Sequence, residues 1–306
     1  MSGESRFRVA FIGLGKMGEP MAGRLLDAGL SLAVWNRSAD KAKALGARGA
    51  RVAASPAEAA AGAQFVIVML SDGPAVTEVL FGKDLAAALN PGAVVIDMSS
   101  IPPPLAREHA KRLAGLGVRH LDAPVSGGTR GAADGSLAIM AGGSPEVFEA
   151  ARPVLGILGR PTLIGPSGSG QLSKLANQTI VAGTIGAVAE ALLLAAAGGA
   201  DPAKVREALS GGFADSTILE QHGQRMLDRA WLPGGRTRTQ VKDLRTILEA
   251  AASMGLELPI TARVTELFES SLAAGFGEYD HSALLLELER RNPGARVGSR
   301  PDQKPE

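Results

Sequence analysis

At 306 residues the chain exceeds the usual size of one domain, and its 45% hydrophobic content is enough to fill two ordinary cores. Thirty-two basic residues against 31 acidic ones leave a net charge of +1, so no broad field favours nucleic acid or an anionic membrane, and the expected partner is a small molecule. Cysteine is absent, which excludes disulfides, thiolate catalysis and cysteine-ligated metal and suits a reducing compartment.

Met1 to Arg6 are polar and lack the apolar core of a secretory signal, so a cytoplasmic address is expected. From Arg8 to about Ile164, short β-rich runs alternate with Ala-rich helical stretches, the pattern of a parallel sheet covered by helices on both faces. The expected strands are Val9 to Ile12, Leu32 to Trp35, Phe65 to Leu70, Val94 to Asp97, Val118 to Asp122 and Leu137 to Ala141, each nearly continuous in apolar residues. Met17 to Ala28, Pro56 to Ala61 and Pro104 to Leu116 read as helices, two of them opening at a proline that suits the first turn.

After Ser169 the β signal stops, and one helical pattern runs to Gly198-Gly199. Within it, Val181 to Ala200 is long enough to span a bilayer and carries only Glu190 as a charge. It is dominated by Ala and Gly and has neither aromatic anchors nor flanking basic clusters, so it reads as a buried core helix. Further helices are expected from Asp201-Pro202 and near Thr217 to Met226, Thr239 to Met254, Pro259 to Ala274 and Ser282 to Arg291. The fold class expected is α/β: a Rossmann-type dinucleotide-binding domain over 7–165, an all-α C-terminal domain over 166–292, and a disordered tail over 293–306, where Gly, Pro and charge accumulate.

Gly13-Leu14-Gly15-Lys16-Met17-Gly18 follows the first strand and opens a helix. The first glycine permits the sharp turn, the second lets main-chain N–H groups approach a pyrophosphate, and the third lets helix and strand pack closely. Leu70, at the end of the third strand, is assigned to the same cofactor side. The second strand ends in Asn36-Arg37-Ser38, where an NAD-selective site usually places an acid. Arg37 can meet a 2′-phosphate and Asn36 and Ser38 can donate to it, so NADP(H) is expected in preference to NAD(H).

Gly165 to Gln171 resembles a phosphate-binding Walker loop, but Gln171 stands where that loop requires lysine. His109, His120, His222 and His281 show no metal-ligand spacing, so no metal is expected. Asp280-His281-Ser282 names the residues of a hydrolytic triad, but consecutive side chains diverge, and a helix start is the better reading. Lys174 lies one helical turn before Asn177 and Gln178 in a small-residue, apolar helix, where a solitary cation is costly unless it faces a cleft.

These motifs together resemble the β-hydroxyacid dehydrogenases, a family that includes 3-hydroxyisobutyrate dehydrogenases and tartronate semialdehyde reductases. The resemblance covers nearly the whole chain and rests on Gly13 to Gly18 with Met21, Ile96-Asp97-Met98-Ser99-Ser100, Asp122-Ala123-Pro124-Val125-Ser126-Gly127-Gly128, the Lys174 helix and Lys242-Asp243-Leu244. It implies that Ser126, Gly127 and Gly128 hold a substrate carboxylate, that Lys174 is the catalytic acid and base, and that Asn177 and Gln178 position substrate and lysine. It further implies that Ser100 and Lys242 touch the cofactor or the closed cleft where the domains join, that no metal takes part, and that the chain forms a homodimer or homotetramer.

Lys174-Leu175-Ala176-Asn177-Gln178, Gly211 to Thr217 and Asp280 to Leu284 follow the tartronate semialdehyde reductase pattern, which implies reduction of that aldehyde to glycerate. Thr129-Arg130-Gly131 stands where that subgroup carries Glu-Pro-Lys, and Arg37 follows Asn rather than Asp, which leaves substrate and cofactor preference open. The competing readings are oxidation of 3-hydroxyisobutyrate or another 3-hydroxy acid, serine included, and a non-catalytic NADP-binding sensor or scaffold. An imine reductase shares the architecture, but the resemblance implies a replaced lysine.

Overall fold

A computed structural model of the chain describes residues 7–305. The reading of Met1 to Arg6 therefore lies outside the described residues. Contacts divide the chain into two compact units, one ending at Lys174 and the other beginning at Leu175.

Among the described residues the first unit holds nine strands: β1 (Arg8–Ile12), β2 (Ser31–Trp35), β3 (Arg51–Val52), β4 (Phe65–Val68), β5 (Val94–Asp97), β6 (Arg119–Asp122), β7 (Val125–Ser126), β8 (Leu137–Gly142) and β9 (Gly159–Gly165). They form one sheet in the order β3-β2-β1-β4-β5-β6-β8-β7, with β9 on the other edge of β8. β1 to β6 are parallel, whereas β8 runs against β6 and β7. The chain moves outward from β1 to β3 and then returns to place β4 on the other side of β1. That reversal opens a crevice at the carboxyl ends of β1 and β4, where such sheets bind ligands.

The helices are α1 (Gly18–Asp27), α2 (Asp40–Ala47), α3 (Pro56–Ala60), α4 (Gly73–Thr77), α5 (Pro103–Ala114), α6 (Gly128–Asp134) and α7 (Pro145–Leu158). Alternate strand residues feed two cores. Val9, Phe11, Phe65 and Ile67 pack with Met21, Leu25, Phe148 and Leu155 on one face. Ala10, Ile12, Val66 and Val68 pack with Ala59, Val76, Ala106 and Leu113 on the other. Two covered faces explain why the strands read as unbroken apolar runs rather than as alternation. The third strand stops at Val68 instead of Leu70, because the Leu70 N–H is taken by the Ser99 hydroxyl at 3.0 Å rather than by a neighbouring strand.

One helix, α8 (Ser169–Ala197), begins in the first unit and continues into the second. Among the described residues it alone is long and apolar enough, by length and composition, to cross a membrane. Its Ala182, Ile185, Ala189 and Leu192 join Leu175, Trp231, Leu244, Phe268 and Leu284 in the core of the second unit. The core helix expected over Val181 to Ala200 is buried on one face only: Ile185 and Leu192 are covered, whereas Leu194 is 76% exposed. The remaining helices are α9 (Pro202–Leu209), α10 (Thr217–Asp228), α11 (Thr237–Ser253), α12 (Pro259–Ser271) and α13 (Leu284–Arg291).

The expectation of a disordered tail beyond residue 292 is corrected. Arg229, in a left-handed conformation (φ 53°) at the end of α10, is buried and donates to Glu289, to the Val297 carbonyl and to Asp302, each at 2.8 Å. Trp231 Nε1 donates to the same Asp302 oxygen at 2.7 Å, and Gln303 bridges Ala230. A buried guanidinium needs counter-charges, and composition alone does not reveal that the tail supplies one.

Candidate active site

The turn after β1 is fixed from two sides. The Gly13 N–H donates to the Trp35 carbonyl and the Leu14 N–H to Asn36 Oδ1, both at 2.9 Å. Asn36 Nδ2 donates to the Ser38 carbonyl at 3.0 Å, so both polar ends of this amide are engaged by main chain, one in the glycine loop and one just beyond β2. Arg37 and Ser38 are exposed beyond the end of β2, as is Lys16 in the loop; Met17 and Leu70 are half-buried and Leu14 is buried. Any Cβ at Gly13 or Gly18 would overlap backbone, Met69 O for the former and Gly13 O for the latter. A Cβ at Gly15 would meet nothing, and no side chain caps the first turn of α1. The loop thus has a closed side and an accessible main-chain side, which fits the pyrophosphate of a dinucleotide.

At the ends of β5 and β6 two buried carboxylates lie side by side, Asp97 in register with Asp122. Burial pushes the Asp97 carboxyl up to about 7 against the opposing Ser99 hydrogen bonds. Burial also raises Asp122, to about 6, while the N–H groups of Gly168 and Gln171 hold it down. Those N–H groups donate to Asp122 Oδ1 at 2.7 Å and Oδ2 at 2.9 Å. The carboxylate therefore closes the start of α8. The buried Gln171 side chain completes the anchorage: its Oε1 accepts from the Ile101 N–H at 3.1 Å and its Nε2 donates to the Ser99 carbonyl at 2.8 Å. Lys174 follows three residues later, half-buried, in the same compact unit.

Ser126 ends β7, and Gly127 (φ 135°) and Gly128 (φ 62°) turn the chain into α6 with both glycines exposed. Ser100, half-buried, follows the anchored Ser99. In the second unit, Asn177 Nδ2 donates to Gln178 Oε1, and Gln178 Nε2 donates to Asp243 Oδ2, both at 2.8 Å. Lys242 Nζ lies 3.3 Å from the other oxygen of Asp243. The three amide and ammonium groups named from sequence are thus linked through one buried carboxylate.

Two family models match end to end: the NAD binding domain of 6-phosphogluconate dehydrogenase over residues 8–168, and the NAD-binding domain of NADP-dependent 3-hydroxyisobutyrate dehydrogenase over 168–288. The chain is 46% identical to the 2-hydroxy-3-oxopropionate reductase of Escherichia coli K12 over 92% of its own length and 97% of that protein. This chain belongs to the β-hydroxyacid dehydrogenase family. Its structure resembles a 3-hydroxyisobutyrate dehydrogenase from Salmonella typhimurium, with TM-score 0.85, 32% identity and coverage of 92% and 99% of the two chains. It also resembles the Mycobacterium tuberculosis 3-hydroxyisobutyrate dehydrogenase solved with L-serine, with TM-score 0.83, 31% identity and the same coverage.

As a β-hydroxyacid dehydrogenase the chain is an NAD(P)-dependent oxidoreductase. Asp97, Ser99, Asp122 and Gln171 in the first unit and Asp243 in the second are not assigned a role from sequence, although all five stand inside quoted segments. Gln171 carried a faint signal, as a polar residue opening an otherwise small-residue helix. For Asp122 and Asp243 the signal was their place in the motifs, without a partner to explain them.

Proposed function

We propose that this enzyme reduces a small semialdehyde carboxylate to the hydroxy acid, with tartronate semialdehyde going to glycerate and NADPH preferred over NADH. The observation that carries the reading is the Asp122–Gln171 anchorage, which fixes the helix start three residues before Lys174, in the same unit as the glycine loop and Ser126-Gly127-Gly128. We assign residues 7–165 to dinucleotide binding and 166–292 to the helical domain. Bound NADPH supplies a hydride from nicotinamide C4. Lys174 gives its proton to the carbonyl oxygen as the carbonyl carbon is reduced, and takes it back in the reverse direction. Ser126 and the main-chain N–H groups of Gly127 and Gly128 hold the substrate carboxylate, a role suited to a hydroxyl beside an exposed glycine turn. Asn177, one turn along the same helix, orients lysine and substrate.

The 46% identity to the Escherichia coli reductase supports this substrate. Oxidation of a 3-hydroxy acid is the second reading, and the L-serine bound by the Mycobacterium tuberculosis relative favours it. Tartronate, methylmalonate and succinic semialdehydes, each assayed with NADPH and NADH and beside 3-hydroxyisobutyrate and serine oxidation, separate the two. Lys174→Ala is expected to cut turnover by about a hundredfold or more while NADPH binding is retained. Undiminished turnover in this variant refutes the assignment, and no turnover of any panel member leaves the sensor reading in its place.

A further inference from the structure

His222 and His281 are 59 residues apart in sequence and carry no spacing signature, yet the fold sets them ring to ring. His222 lies in α10, and His281 opens the short helical turn that precedes α13. Their Nε2 atoms are 2.8 Å apart, and the ring centroids are 4.7 Å apart with the planes tilted by 59°. His281 Nδ1 lies 3.2 Å from Gln240 Oε1. With the amide oxygen on that side, the contact suits a protonated Nδ1, the tautomer whose Nε2 carries a lone pair on the side of His222. One carboxylate oxygen of Asp280 joins the two imidazoles, and the three candidate ligand atoms all lie within 4.8 Å of one another.

The surroundings are those of a held ligand set. Asp280 Oδ2 accepts from the N–H groups of Gly234 at 2.8 Å and Gly235 at 3.2 Å, and Oδ1 accepts from the Ser282 N–H at 3.1 Å and hydroxyl at 2.7 Å. Metal-ligating carboxylates and imidazoles are oriented by such outer hydrogen bonds. Arg225 approaches Asp280 Oδ2 at 3.8 Å and donates to the Leu232 carbonyl at 2.8 Å. Two imidazole nitrogens and a carboxylate oxygen suit a borderline divalent ion that accepts four-coordinate geometry. With Zn–N bonds of about 2.1 Å at a tetrahedral angle, the two nitrogens stand about 3.4 Å apart. The rings reach that spacing by separating by about half an ångström, a small movement for side chains that are only half-buried.

We propose that His222, His281 and Asp280 form a binding site for a divalent transition-metal ion, with water completing the coordination. Such an ion ties α10 to the start of the segment that leads into α13, both within the second unit, and stabilises the folded chain in proportion to its concentration. Its place is outside the residues proposed for hydride and proton transfer.

The test uses the full chain freed of metal by chelation, then titrated with Co2+ and with Zn2+. One Co2+ per chain with visible ligand-field bands, its displacement by Zn2+, and a rise in melting temperature with either ion are expected. His222→Gln and His281→Gln each should abolish the bands and weaken binding by about tenfold or more, in the range of losses seen on altering a metal site. Asp280→Asn should weaken binding while leaving an imidazole signature. Far-UV circular dichroism and NADPH binding establish that each variant is folded, and the half-buried His222 keeps the question decidable should the Asp280 variant fail to fold. Absence of stoichiometric binding by the unaltered chain, or undiminished binding by folded His222→Gln, overturns the proposal.

Discussion

Asp122 Oδ2 accepts the main-chain N–H of Gln171 at 2.9 Å, and the Gln171 side chain in turn reaches the main chain of Ser99 and Ile101. One buried carboxylate and one buried amide thereby fasten the start of α8 to the ends of two neighbouring strands. Asp122→Asn replaces an acceptor with a donor facing an N–H group. Turnover is expected to fall by about tenfold or more through mispositioning of Lys174, with the NADPH dissociation constant changed less than about twofold. Steady-state kinetics beside a fluorescence titration of NADPH check this, and an unchanged kcat removes the positioning role.

Arg37 extends into solvent beyond β2, next to the Asn36 that ties down the glycine loop. Arg37→Asp is expected to raise the KM for NADPH by about tenfold or more and the KM for NADH much less, because an aspartate repels a 2′-phosphate and suits ribose hydroxyls. Equal changes for both cofactors contradict the 2′-phosphate assignment.

His120 on β6 is buried, and neither of its ring nitrogens has a hydrogen-bond partner. Burial lowers it to about 3, and His109 close by pushes in the same direction. A histidine whose folded-state value is depressed contributes stability above its unfolded value near 6.5, and that contribution is lost as pH falls toward about 3. His120→Leu should raise the melting temperature at pH 7, since unpartnered polar atoms are removed, and should flatten the loss of stability on acidification. Melting curves at several pH values decide it; a variant as acid-sensitive as the unaltered chain rejects His120 as a source.

Asp302 accepts from both Arg229 and Trp231. Asp302→Ala leaves a buried guanidinium with Glu289 as its remaining carboxylate, and a loss of about 3 kcal/mol of stability is expected from removing one partner of a buried ion pair. Asp302→Asn keeps an acceptor and should lose less. Urea denaturation measures both, and equal stability of the Asp302→Ala variant would show that the docked tail contributes nothing.

Much of the first unit was legible because a strand covered on both faces announces itself by continuous apolar residues, as Phe65 to Val68 and Val94 to Ile96 do. The strands missed, β3, β7 and β9, are two-residue pieces or, in β9, an edge strand of alternating burial containing Pro161. α7 escaped because Pro153 and Gly156 interrupt its pattern, although Ser144 caps it and Pro145 suits its first turn. The glycine loop and Lys174 are named from sequence because local spacing alone points to them. The tethering roles of Asn36 and Gln171 and the His222–His281 contact are not readable in that way, since each depends on a partner 22 to 72 residues distant.

The ion pairs of Arg229 reach across 60 residues to Glu289 and 73 to Asp302, so they close only after α11, α12 and α13 have been drawn together. Contacts of such long sequence separation reward the chain late, after most of its loop entropy has been lost. The second unit should therefore assemble as a single cooperative block, with no stable half-formed state in which the first of its helices stand alone.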